Sequence, residues 1–149
     1  MSAFVTAGAG FLLAVLWFDL MFDVQVIGRG SGELPEAALA SIAHYYARVT
    51  TAARPMNRLI AAVMLATLAA IAVEITEGAG DGWAAWVSLA LALPAITLAG
   101  ARTVPNAVRL GARSDSPARQ SALARSIWRD HLLCASAIAA LLALQLAFV

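Results

Sequence analysis

Apolar residues run almost unbroken over 3–22, 59–73, 83–101 and 132–149, and polar residues gather between these stretches. With its flanking turns, each stretch approaches the roughly 20 residues that an α-helix needs to cross a hydrocarbon core. None alternates with the period of two that a barrel strand would show, and lipid offers backbone groups no partners, so the pattern predicts helices. The expected spans are about 3–22, 57–75, 83–103 and 130–149. The fold class is therefore all-α: a polytopic membrane protein forming one domain over 1–149, built as an antiparallel four-helix transmembrane bundle.

The polar connections also read as helical. After the flexible Gly28-Arg29-Gly30-Ser31-Gly32, Pro35 stands where a helix tolerates proline, and no breaker follows it as far as Ala53. Pro55 is expected to kink this helix into span two rather than end it. Span three is expected to run on through Pro105 to about Gly111. Ser114-Asp115-Ser116-Pro117 is a turn and helix start with no breaker up to Val149, which predicts a helix of about 32 residues and about 48 Å. Such helices would extend past the bilayer into the cytoplasm as a small stalk.

Composition changes the solvent of this bundle. Hydrophobic residues are 62% and charged residues 13% of a 149-residue chain, more apolar surface than a soluble domain of this size can hide from water. Its distribution of charge sets an orientation. All 10 basic residues are arginines, and they fall within 23–58 and 102–131, whereas the link between spans two and three carries Glu74, Glu77 and Asp81. The positive-inside rule places both long connections in the cytoplasm and both termini outside, in a bacterial inner membrane. Trp83 and Trp86 at one boundary, and Trp17 and Trp128 at the other, fit interfacial positions. The first stretch lacks the basic start of a signal peptide and reads as a retained span. A net charge of +1 without a concentrated basic surface argues against nucleic-acid binding. The single Cys134 excludes an intramolecular disulfide and reads as a small packing residue.

A few polar side chains remain as candidates for chemistry. Asp19 and Asp23 share a face near the inner end of helix one, where a carboxylate must find a cation or a proton. Arg102, Asn106, Arg109 and Arg113 recur at helical spacing, as do His44, Arg48, Thr51 and Arg58, and Trp128-Arg129-Asp130-His131 enters span four at the same depth. A closed bundle would gather these groups into a polar chamber. Asp19, Asp23, His44 and His131 could ligate a transition metal, or the two histidines a haem iron. The alternative is a layer of packing salt bridges and snorkelling arginines. The sequence lacks the Glu-x-x-His, His-Glu-x-x-His, paired-cysteine and phosphate-loop motifs. It also has no charged residue at mid-membrane, which argues against a proton relay or ion path through one protomer.

Pro105-Asn106 with Leu110 after span three, and Trp128 followed by Arg129-Asp130-His131 at span four, resemble the anthrone oxygenase-like family of small four-helix membrane proteins. Length and hydropathy agree over the whole chain. Family members with a known role oxidise polycyclic phenolic anthrones with molecular oxygen, without a metal, and many others have no known role. An arginine a turn from the helix-four tryptophan is usual there, whereas Arg129 is adjacent to Trp128. The resemblance implies a hydrophobic small-molecule substrate. Arg109, Arg129 and Asn106 would hold the phenolate and developing oxyanion, and His131 or His44 would act as general base helped by Asp130 or Asp19. The competing expectation is a non-enzymatic membrane component: a homo-oligomeric channel, or an accessory subunit that binds lipid or a partner protein.

Overall fold

The structure is a computed structural model and describes residues 1–78 and 82–148. Asp81 of the acidic link and Val149 at the end of the fourth expected span lie outside the described residues. All regular structure among the described residues is helical: α1 (Ser2–Asp23), α2 (Glu36–Tyr46), α3 (Arg54–Glu77), α4 (Trp83–Leu98), α5 (Val104–Ala112) and α6 (Pro117–Phe148). Short π-helical segments, Ala47–Ala52 and Ala99–Thr103, follow α2 and α4.

Four helical runs are long and apolar enough to cross a membrane: Ser2–Val26, Arg54–Glu77, Trp83–Ala112 and Pro117–Phe148, with mean hydropathy between 1.8 and 2.3 in their most apolar windows. α6 begins at Pro117, after the Ser114-Asp115-Ser116 turn, and runs 32 residues. The third run passes through the Ala99–Thr103 segment into α5 and stops at Ala112, where Arg113 takes a left-handed φ of 52°.

The stretch 36–53 departs from the expected continuous helix. α2 loosens into the Ala47–Ala52 π turn and breaks at Ala53, with φ −87° and ψ 56°. Pro55 has no N–H to donate and its ring would meet the carbonyl four residues back, so the chain restarts with Pro55 in the first turn of α3. Asn57 Nδ2 donates to the Thr50 carbonyl at 2.9 Å and clips the break shut. The break lets α2 fold back against α5 and α6 instead of prolonging α3.

The four long helices pack as a ring: α1 on α3 and α6, and α4 on the same two. Val5, Ala9, Leu12, Ala70, Ile71, Ala92, Cys134, Ile138 and Leu141 fill its centre. Large apolar residues also cover the outside, with Phe4 at 70%, Leu65 at 67% and Leu146 at 71% exposure. That inversion suits hydrocarbon rather than water.

A second core lies beyond the arginine-bearing ends of the ring. Leu39, Ile42, Ala43 and Tyr46 of α2 meet Ala107 and Leu110 of α5, and Leu123, Ala124 and Ile127 of α6. Close approach here depends on Gly111: a Cβ at that position would stand 2.7 Å from the Ala47 nitrogen. α6 threads both cores, and the polar side chains collect where one core gives way to the other.

Candidate functional site

α1 ends on Asp23 and carries Asp19 one turn earlier, so both carboxylates face the seam between the cores. α2 ends at the same seam on Tyr45 and Tyr46, because its buried positions Ala38, Leu39, Ile42, Ala43 and Tyr46 follow helical periodicity. α6 contributes Asp130 and His131 as it leaves the outer core for the ring.

These residues form one hydrogen-bonded cluster. Asp23, fully buried, accepts from the Tyr46 hydroxyl at 2.6 Å on Oδ1 and from His131 Nδ1 at 2.6 Å on Oδ2. Asp19 accepts from the Tyr45 hydroxyl at 2.7 Å on Oδ1, and its Oδ2 lies 3.7 Å from His131 Nε2. The Tyr45 ring stacks on Phe22 with centroids 4.0 Å apart and meets Tyr46 edge-on at 5.2 Å. Asp130 turns the other way, toward Thr103 Oγ1 and the half-exposed Arg102 guanidinium, each at 3.3 Å.

The electrostatic logic is that of buried carboxylates, which are tolerable only with charged or donating partners. Asp23 receives two short bonds of the charge-assisted kind. Assigning the Nδ1 proton from the 2.6 Å contact with Asp23 leaves His131 Nε2 as the free nitrogen, on the side of Asp19. Burial, followed by the adjacent carboxylates, pushes both tyrosine hydroxyls above their ordinary range, which keeps them neutral donors.

A cavity of 420 Å³ opens against this cluster. Asp19, Tyr45, Tyr46 and His131 stand in its wall, and most of the rest is apolar, including Phe11, Ile60, Met64 and Ile138. Both π-helical segments border it, through Val49 and Thr50 on one side and Ala99 and Thr103 on the other. Such segments recur beside functional sites because they re-aim side chains and leave backbone irregular. Its volume lies within the ordinary range for a small-molecule pocket, and a few convergent polar groups in an apolar wall are what such pockets use for orientation.

The expected site residues divide. Asp19, Asp23 and His131 come together, while Asp130 sits beside them but turns away to Arg102. His44 is exposed, two residues before Tyr46 and so nearly opposite the buried face of α2, and does not stand across from His131. Arg109 is exposed and bonds Asp115 through Nε at 2.7 Å and Nη2 at 2.6 Å, holding that carboxyl below the usual carboxylate range. Arg113 pairs with Glu36, Arg129 is exposed, and Asn106 is half-buried. None of these four residues lines the cavity. The two helical stripes do not persist, because one crosses the Ala53 break and the other starts inside a π turn, where the residue spacing changes. Among the described residues, no three or more His, Cys, Asp or Glu side chains are grouped to hold a metal ion.

Tyr45 and Tyr46 are the members that sequence reasoning passes over. They are the chain's only 2 tyrosines, adjacent at the end of an amphipathic stretch, which is a signal of sorts. Comparison with known protein families, with curated proteins and with solved structures returned no match.

Proposed function

We propose that this chain is a small membrane enzyme that binds a bilayer-soluble phenolic molecule in the 420 Å³ cavity, with His131 as its general base. One observation carries the reading: His131 Nδ1 is fixed by Asp23 at 2.6 Å, while Nε2 faces Asp19 at the wall of an apolar cavity. A carboxylate that holds one imidazole nitrogen orients the other as a base, the arrangement hydrolases use for a hydroxyl proton. Tyr45 steadies Asp19 beside it.

The resemblance to anthrone oxygenase-like proteins supplies the reaction class. His131 would take the hydroxyl proton of the anthrone's phenol tautomer, giving an electron-rich anion that dioxygen oxidises. Across the whole reaction the methylene carbon gains one oxygen atom as a carbonyl, and the other oxygen leaves with both methylene hydrogens as water. The membrane setting belongs to the same proposal. The four long helices run antiparallel, with the arginine-bearing ends and the second core on the cytoplasmic side of a bacterial inner membrane and both termini outside.

The test uses the protein in lipid nanodiscs with 1,8-dihydroxyanthrone, following quinone formation and oxygen uptake above the protein-free rate. Turnover that falls by about a hundredfold or more in His131→Gln, within the roughly 10²–10⁴-fold worth of general-base catalysis, supports the reading. Asp19→Asn, which leaves the Asp23–His131 pair intact, should shift the pH profile of the rate. Saturable binding with no turnover would favour the non-enzymatic reading, in which the same cavity holds a lipid or other apolar ligand. A second, largely apolar groove of 510 Å³ between α1 and α3, lined by Ala7, Gly8, Thr67 and Ala70 among others, suits that lipid-binding alternative. Neither binding nor turnover would sink both.

A further inference from the structure

We infer that the cavity loads sideways from the bilayer leaflet on the arginine side, and that its occupant is an amphiphile with a hydroxyl-bearing head at one end and a compact apolar body. The inference rests on reading the cavity as a ligand site. It deepens that reading by fixing the route and the shape of the ligand.

The route follows from which wall residues reach the surface. Ala14 and Phe18 of α1, Met56 of α3 and Val104 of α5 line the cavity and are also exposed on the outside of the protein. All four are apolar, and the exposure of Phe18 is 60%, of Met56 48% and of Val104 41%. None of the polar wall residues is exposed: Tyr46, Thr103 and His131 are buried, and Asp19, Tyr45, Thr50 and Asn57 are half-buried. Toward the water beyond α2 and α5, the way is shut by the second core, with Leu110 and Ile127 at 0% exposure. An opening rimmed by apolar side chains and set among lipid-compatible helix faces admits lipid-dissolved molecules. It gives a hydrated one nothing in exchange for its water.

The shape follows from where the polar groups stand. Asp19 and His131 mark one end of the lining, and Phe11 of α1 and Ile138 of α6 lie deeper, eight and seven residues along their helices, or about 10–12 Å at 1.5 Å per residue. A leaflet amphiphile keeps its head near the interface and its body in hydrocarbon. It would therefore enter without turning over, its head arriving level with Asp19 and His131. Asp19 Oδ2 and His131 Nε2 are 3.7 Å apart, too far for a bond to each other. A hydroxyl between them can donate its proton to the free Nε2 or to the Asp19 carboxylate, whereas an ether oxygen has no proton to donate.

Cys134 makes this testable, because the chain's only cysteine lies in the cavity wall. In nanodiscs, bilayer-partitioning N-phenylmaleimide should alkylate Cys134, read by intact mass. The membrane-impermeant 2-sulfonatoethyl methanethiosulfonate should leave it unmodified. Phe18→Trp combined with Val104→Trp should slow the maleimide at least tenfold. Leu133→Trp, on an exposed α6 position outside the cavity wall, should not. Dissolved 1-naphthol should protect Cys134 several-fold better than 1-methoxynaphthalene. Equal labelling by the sulfonate reagent, or indifference to the double tryptophan variant, would overturn the lateral route. So would failure of both reagents on a thiol that reacts fully once unfolded in detergent. Equal protection by the two naphthalenes would overturn the hydroxyl head. Labelling does not need His131 as a base, so a loss of turnover with labelling intact would refute the chemistry and leave the route standing.

Discussion

Asp23 is fully buried between a tyrosine hydroxyl and an imidazole, each at 2.6 Å. Removing one donor leaves a carboxylate oxygen dry and unpaired, which costs more than the bond was worth. Tyr46→Phe should therefore lower unfolding stability by about 1.5–3 kcal/mol, the usual range for bonds to charged groups, measured by denaturant titration in detergent micelles. The tyrosines also set an alkaline limit. Their pKa values are raised in the folded state, so their contribution is complete below the ordinary value of 10.0 and is lost as pH rises through the folded values. Since these are the only 2 tyrosines, tyrosinate absorbance should stay low past pH 10.0 and rise together with loss of helicity. A rise near pH 10.0 in the folded protein would contradict the buried cluster. The aspartates were legible as a pair from their spacing. Their tyrosine partners were not, because residues 26 and 23 positions apart meet only through tertiary packing.

Helix boundaries depended on how each proline was used. Pro117 starts α6 and Pro105 lies within the first turn of α5, as local rules allow, but Pro55 ends one helix and starts another. Local rules permit either outcome at Pro55, and the burial of α2 against α5 and α6 decides between them. Two glycines test that docking. Gly111→Ala puts a Cβ 2.7 Å from the Ala47 nitrogen, so backbone must move, and a loss of about 1–3 kcal/mol is expected, as for overpacked sites. Gly100→Ala meets nothing within 4 Å and should be neutral or slightly stabilising. Similar melting temperatures for the two variants would mean that α5 does not press on the α2 end.

The whole molecule joins an apolar ring to a smaller core, and α6 runs through both. The charge pattern makes a topological prediction: a reporter inserted between Gly78 and Gly82 should be extracytoplasmic, and one inserted at Gly30 cytoplasmic. The same compartment for both would end the four-span reading. Hydropathy and arginine placement were enough to show four long apolar helices and which of their ends carry the charge, because solvent preference is additive along the chain and needs no knowledge of contacts. The composition of the site was decided elsewhere. Arg109, Arg113 and His44 share the right segments and the right spacing with the residues that matter. Yet a π turn, a helix break and the buried face of α2 send them to Asp115, to Glu36 and to the surface. Only the folded packing brings Asp19, Asp23, Tyr45, Tyr46 and His131 into one cluster, since a meeting of three helices depends on how each is rotated about its axis, and periodicity alone does not fix that rotation.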